Sequence, residues 1–200
     1  MRRAMLLLAC SGALSGCALL GKNEPLVPRY FAVSDEGPAV HPVNPHGPEL
    51  RLGRIESWSH LRERLVTRDA SHELFFHEAR RWTERPEIYL RAALARTLFD
   101  ERGLTESLGG HALTLDVQLV AFEELLAPHV ARMQARMVLR NESVALLEES
   151  IVVEQPVATN PDGDEARSVA DALSLALHTG AARIGDRVVQ RLTAAVPAQQ

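Results

Sequence analysis

The stretch that decides the fold is "LTLDVQLVAFEELLAPHVARMQARMVLRNESVALLEESIVV", residues 113–153. Apolar residues alternate with polar or charged ones over 113–121 and again over 131–140, and Asn141-Glu142 turn the chain into a third long segment, 144–153. A period of two predicts strands of an antiparallel sheet with one apolar face and one wet face. The residues expected on the apolar face are Leu113, Leu115, Val117, Leu119, Ala121, Ala131, Met133, Ala135, Met137 and Leu139.

Two helices are available to cover that apolar face. The later one is predicted from about 164 to 194, because apolar residues recur at helical spacing. The earlier one has Thr83 or Glu84 as its cap and Pro86 in its first turn, and Gly103 ends it. Two helices on one face of an antiparallel sheet make a two-layer α+β sandwich. The later helix's stripe is Val169, Leu173, Ala176, Leu177, Gly180, Ile184 and Val188.

Shorter strands and an extended tether precede this region. Strands are predicted near 50–55, over 65–68 and over 73–78, with a polar hairpin loop at 69–72. Six of the eleven prolines fall within 18–48, which predicts an extended tether over 17–48 with a short strand near 30–34. The α+β domain is therefore expected to span 49–196.

The N-terminus has the pattern of a secretory signal. Met1-Arg2-Arg3 is followed by an apolar run that falls short of the roughly 20 residues a membrane-spanning helix needs. Leu14-Ser15-Gly16-Cys17 resembles the lipobox of bacterial lipoproteins. That resemblance implies removal of residues 1–16, a diacylglycerol on the Cys17 thiol, and an acyl chain such as palmitate on the new N-terminus.

The second cysteine, Cys10, offers two alternatives. It could be the lipidated residue, but bulky Leu8 stands where a small residue is usual. It could form a disulfide with Cys17, but a bridge confined to a signal segment would hold no fold together. Cys17 is the preferred lipid attachment site.

Charge and composition exclude some functions. The formal net charge of −4 becomes −6 once Arg2 and Arg3 leave with the signal. An acidic chain without a basic patch is a poor candidate for binding nucleic acid or anionic lipid headgroups. Lipid chains at Cys17 would then provide the attachment to a membrane.

No catalytic, metal or cofactor site is expected. The eight histidines follow no metal-binding spacing, and no serine lies in a nucleophile motif. The paired acids Glu123-Glu124 and Glu148-Glu149 are interpreted as solvated strand ends. Glu149 stands out, because the register that buries Leu147 and Ile151 would also bury its carboxylate.

One compact aromatic cluster remains, "LFFHEARRWTERPEIYL", residues 74–90. Trp82 is expected to anchor the corner between strand and helix in the core. Its neighbours Arg81 and Glu84 make this a structural or partner-binding motif, with a ligand pocket as the alternative.

The order of these segments resembles the ABC-type transport auxiliary lipoprotein family, whose best-known branch is PqiC-like. A lipobox, "PRYFAVS", "LRLGRIESWSHL", "ELFFHEARRWTERPEIYLRAAL" and a late "SVADALSLAL" helix occur in that order. The resemblance covers about 28–192, and its sharpest element is Arg81, Trp82 and Glu84. Trp58 and Ser59 depart from the family's pattern, which tends toward a Pro–x–Tyr–Leu run at this place.

The resemblance implies a non-catalytic lipoprotein, at the outer membrane and facing the periplasm. Its partners would be an MCE-domain protein and an inner-membrane ABC transporter or permease that together move lipid, and several copies would form a homo-oligomer. The alternatives from other classes are a lipoprotein that activates or braces a peptidoglycan enzyme, and an anchored hydrolase.

Overall fold

The computed structural model describes residues 25–34 and 47–195. The signal segment, Cys17 and most of the predicted tether lie outside them. Two helices and eight strands follow one another: β1 Arg29–Phe31, β2 Glu49–Ser57, β3 Arg64–Arg68, β4 Leu74–Trp82, α1 Pro86–Ala95, β5 Thr105–Glu106, β6 Leu113–Leu125, β7 Val130–Asn141, β8 Val144–Pro156 and α2 Glu165–Ala195. Within the described residues, no helix is long and apolar enough to cross a bilayer.

The predicted α+β fold is confirmed, with α1 and α2 packed on the sheet. The three long strands β6, β7 and β8 form an antiparallel meander. On β7 the alternation is as predicted, because Ala131, Met133, Ala135, Met137 and Leu139 are all buried. α2 lies across β7 and β8, and α1 packs on α2 and β2.

The remainder of the sheet is mixed, so the prediction of a wholly antiparallel sheet is wrong. β2 pairs in parallel with the first half of β6, and β3 pairs in parallel with its end. β1 with β4 and β2 with β5 are also parallel, whereas β3 and β4 form the predicted hairpin. The connection from β2 to β6 contains α1, and a helical crossover of this kind permits parallel pairing.

A bulge in β6 changes which side chains face the helices. Leu119 pairs with Ala135, but Ala121 pairs with Gln134, so one extra residue is inserted in β6. An extra residue reverses the faces of everything that follows it. Phe122, opposite Met133, therefore takes the helix side in place of the predicted Ala121.

Local boundaries also differ from the prediction. β4 continues past 78 to Trp82, so the arginines before Trp82 lie on a strand. Arg85 is the N-cap of α1 and makes no side-chain capping bond, so neither Thr83 nor Glu84 caps it. A π-helical turn, Arg96–Glu101, extends α1 before Gly103 ends it with a φ of 66°.

The predicted short strand of the tether is present as β1, which pairs with the last three residues of β4. Two contacts fasten this segment to α2 and to the residue just before it. Arg29 forms an ion pair with Asp164 at 2.6 Å, and the backbone oxygen of Ser34 lies 2.8 Å from His178 Nε2. The tether is thus held against the domain just before residue 35.

Candidate docking edge and the acidic corner of the sheet

The edge strand β4 is only partly covered. β1 pairs with Arg80–Trp82, and no other described strand pairs with 74–79 on the side away from β3. Two aromatic side chains lie on this stretch, with Phe75 44% and Phe76 39% exposed. A free strand edge with exposed aromatics can accept an added strand from another chain. Residues 74–79 are called the docking edge below.

A groove of about 440 Å³ adjoins the docking edge. It lies between Phe76 and the loop that joins β2 to β3, and Arg62, Arg64 and Arg81 line it together with Glu63. Aromatic residues and arginines are the types enriched at protein interfaces. The excess of positive charge favours an acidic partner segment.

The residues of the Arg81, Trp82 and Glu84 motif are placed in three different environments. Trp82 is 1% exposed, with ring centroids 5.3 Å from Phe122 and 6.1 Å from Tyr89, so its predicted core position is confirmed. Arg81 lines the groove beside Phe76, and its Nε donates to the backbone oxygen of Glu78 at 3.1 Å. The exposed Glu84 offers its backbone N–H to the Tyr89 hydroxyl. The motif therefore supplies one core residue and one groove residue.

The open sheet face, which the helices do not cover, carries ion pairs. Asp116 accepts from Arg140 Nε and from the Arg54 backbone N–H, both at 2.7 Å, within a groove of about 600 Å³. Burial raises the pKa of Asp116, but these hydrogen bonds outweigh it and hold the pKa below its usual value. Asp116 is therefore ionised at neutral pH and fixes the position of Arg140.

The paired acids at the end of β6 are buried, so their interpretation as solvated strand ends is wrong. Glu123 lies on the open face, where Arg68 donates to both of its oxygens at 2.8 and 3.0 Å and Arg132 also bonds it. Burial raises the pKa of Glu123, yet the hydrogen bonds from the two arginines lower it overall. Two cations thus compensate the desolvation of one buried carboxylate.

Glu124 is 3% exposed and lies on the opposite, helix-facing side. Its Oε2 accepts from Thr67 Oγ1 at 3.1 Å, and Thr67 Oγ1 lies 2.7 Å from His77 Nε2. His129 Nε2 lies 3.2 Å from Glu124 Oε1 and 4.0 Å from Glu165 Oε1. Spacing motifs missed this group because its members come from a strand, a turn and a distant helix.

The other acid pair, at 148–149, behaves differently. Glu148 is half-exposed and pairs with Arg136. Glu149 does fall on the helix side, opposite Met137, but α2 supplies Arg187 at 3.2 Å. The helix therefore provides the partner for an acid that the strand pattern places on the apolar face.

Comparison with known proteins identifies the fold. No protein-family model matches the sequence, and no curated protein does either. A Xanthomonas campestris protein described as DUF330 has a similar structure, with a TM-score of 0.66 and 16% identity over 83% of this chain and 98% of that one. A structure described as an uncharacterized protein gives a TM-score of 0.63 with 14% identity, covering 81% and 99% of the two chains.

A hypothetical protein from Chlamydia trachomatis is also similar, with a TM-score of 0.52 and 8% identity over 74% of this chain and 99% of that chain. Identities this low show a shared fold and nothing more. The chain thus has the α+β fold seen in a DUF330 structure.

Proposed function

We propose that this chain is a non-catalytic, lipid-anchored subunit of an ABC/MCE-type lipid transport system, anchored in the outer membrane. Its domain would dock the periplasmic MCE component near that membrane. DUF330 is the PqiC-like family, so the fold likeness and the resemblance in the sequence lead to the same proposal. The lipobox at Cys17 supports the anchor.

The observation that carries the docking role is the edge of β4 at 74–79, with which no other described strand pairs on the side away from β3. Its backbone groups can pair with an extended segment of a partner, while Phe75 and Phe76 bury apolar surface. The arginines of the adjoining groove favour an acidic segment. One short edge gives only modest affinity, and several copies around a symmetric MCE assembly would strengthen it by avidity. This is why a homo-oligomer is part of the proposal.

The test uses a soluble form that begins at Ala18 and a purified MCE-domain partner. Phe76→Glu should weaken association at least about tenfold, because it removes an aromatic anchor and places a negative charge beside an acidic segment. Leu175→Glu is the matched control, since Leu175 is an exposed apolar residue on α2 and should leave binding unchanged.

Equal binding by wild type and Phe76→Glu would exclude the docking edge. Absence of binding by the wild type, together with co-purification of a peptidoglycan synthase, would favour the envelope-enzyme alternative instead. A complementation assay completes the test, because the unlipidated form should bind its partner and yet fail to restore transport in a deletion strain.

A further inference from the structure

Three elements bring donor atoms together at one corner of the sheet. Glu124 is the last but one residue of β6, His129 lies in the turn between β6 and β7, and Glu165 is the first residue of α2. One donor atom of each lies within 4.8 Å of the other two. The bulge at 119–121 is the reason Glu124 faces α2, because a regular strand would direct it to the open face.

Glu124 is the buried member of this group and has one oxygen to spare. Its Oε2 accepts from Thr67 Oγ1, whereas Oε1 is buried without a hydrogen-bond donor. His129 Nε2 lies 3.2 Å from that oxygen but does not make a hydrogen bond with it. A buried carboxylate oxygen without a donor requires a positively charged or hydrogen-bonding partner.

We propose that Glu124 Oε1, His129 Nε2 and Glu165 Oε1 bind a divalent transition metal ion of the Zn²⁺ class. The separation of 3.2 Å between the first two atoms matches the distance of about 3.3 Å between neighbouring ligands of a tetrahedral zinc ion. His129 Nε2 and Glu165 Oε1 are 4.0 Å apart, so the Glu165 side chain must rotate slightly to bind the same ion. An exposed side chain at the start of a helix can make that rotation. Water would occupy the fourth position.

The ligand set favours zinc over the hard cations. Imidazole nitrogen suits zinc, whereas calcium takes six to eight oxygen ligands and magnesium prefers carboxylates and water. Thr67 helps to orient the buried carboxylate of Glu124. Its hydroxyl donates to Glu124 Oε2, so it accepts from His77 Nε2, and this chain of hydrogen bonds orients the carboxylate. The site departs from the expectation of no metal, and it does not depend on the proposed transport function.

A simpler arrangement of the same residues is direct pairing of His129 with both carboxylates, without a metal ion. The two arrangements differ in one measurable property, which is zinc binding. Only the proposed site binds zinc, and only changes to these residues should abolish that binding. The chain contains a suitable comparison. His111 also faces a glutamate, Glu142, at 3.4 Å, but both are exposed, and among the described residues they are not part of a group of three possible metal ligands.

The experiment uses the full chain, purified without a histidine tag in detergent and freed of metal with EDTA. ZnCl₂ is titrated by calorimetry, and thermal unfolding is followed with and without zinc. We expect one zinc ion per chain and a higher unfolding temperature with zinc, because the ion would hold the first turn of α2 to the turn between β6 and β7.

Two variants and one control locate the ion. His129→Asn keeps a residue that tolerates the φ of 66° at this position, and Glu165→Gln changes an exposed side chain, so both should fold. Each should weaken zinc binding more than about tenfold. His111→Asn should leave it unchanged. Absence of zinc binding, binding by either variant as tight as by wild type, or calcium binding at the same residues in preference to zinc would overturn the proposal.

Discussion

Gly180 of α2 lies against Met133 of β7, and a Cβ on this glycine would come within 2.7 Å of the methionine Sδ. The helix therefore approaches the sheet so closely here that a side chain at position 180 would require the end of Met133 to move. Gly180 is an interior position of a 31-residue helix, where glycine is less favourable than alanine. Close packing outweighs helix propensity at this point.

The first prediction concerns this contact. Gly180→Leu should destabilise the domain by about 1–3 kcal/mol, because the added side chain overfills the space between α2 and β7. Gly180→Ala should change stability by less than about 1 kcal/mol, since the end of Met133 can move and alanine favours the helix. Urea unfolding of the form that begins at Ala18 measures both. A Gly180→Leu variant as stable as wild type would contradict the close approach.

The second prediction concerns Glu123 and pH. Its folded-state pKa lies below the ordinary value of 4.5, so its contribution to stability is complete above about pH 4.5 and is lost as the pH falls through the lower folded pKa. Glu123→Gln should lower the free energy of unfolding by about 3 kcal/mol at neutral pH, because Arg68 and Arg132 lose their shared ionised partner.

The measurement is the free energy of unfolding between pH 7 and pH 3. Wild type should lose stability over this range more steeply than Glu123→Gln, since the variant has already lost the group that titrates. Parallel pH curves for the two proteins would show that Glu123 is not held ionised by its arginines.

The third prediction separates the two faces of the sheet. Leu115→Asp and Met137→Asp should prevent folding, because each places a charge in a fully buried position. Gln118→Asp and Arg136→Asp, on the open face, should cost about 1 kcal/mol or less. Circular dichroism shows whether each variant folds, and urea unfolding measures its free energy of unfolding. Equal damage from both pairs would mean that the open face is covered in the assembled protein.

The fourth prediction concerns the anchor. Cys17→Ser should leave an uncleaved or soluble precursor, because no other residue would carry the lipid, whereas Cys10→Ser should be processed like wild type. The measurement is how much of each variant stays with the membrane fraction after a wash at alkaline pH. Density-gradient fractionation should place wild type with outer-membrane markers, since Ala18 is not the aspartate that retains many lipoproteins at the inner membrane.

Short-range patterns in the sequence determined much of this domain. The two-residue period identified the buried face of β7, and the helical spacing identified the buried stripe of α2 from Val169 to Val188. The core position of Trp82 was predicted from its place as a large aromatic side chain at the corner between strand and helix. Burial of apolar side chains at a regular period is a local property, so a single sequence contains it.

Tertiary structure alone decided the mixed sheet, the bulge in β6 and the acidic corner. The partner of a strand edge depends on where distant segments meet, and β2 and β3 both meet β6 after a long crossover. One inserted residue in β6 then moved Glu124 to the helix side. Its approach to His129 and Glu165 follows from packing between elements far apart in the chain, which no local spacing encodes.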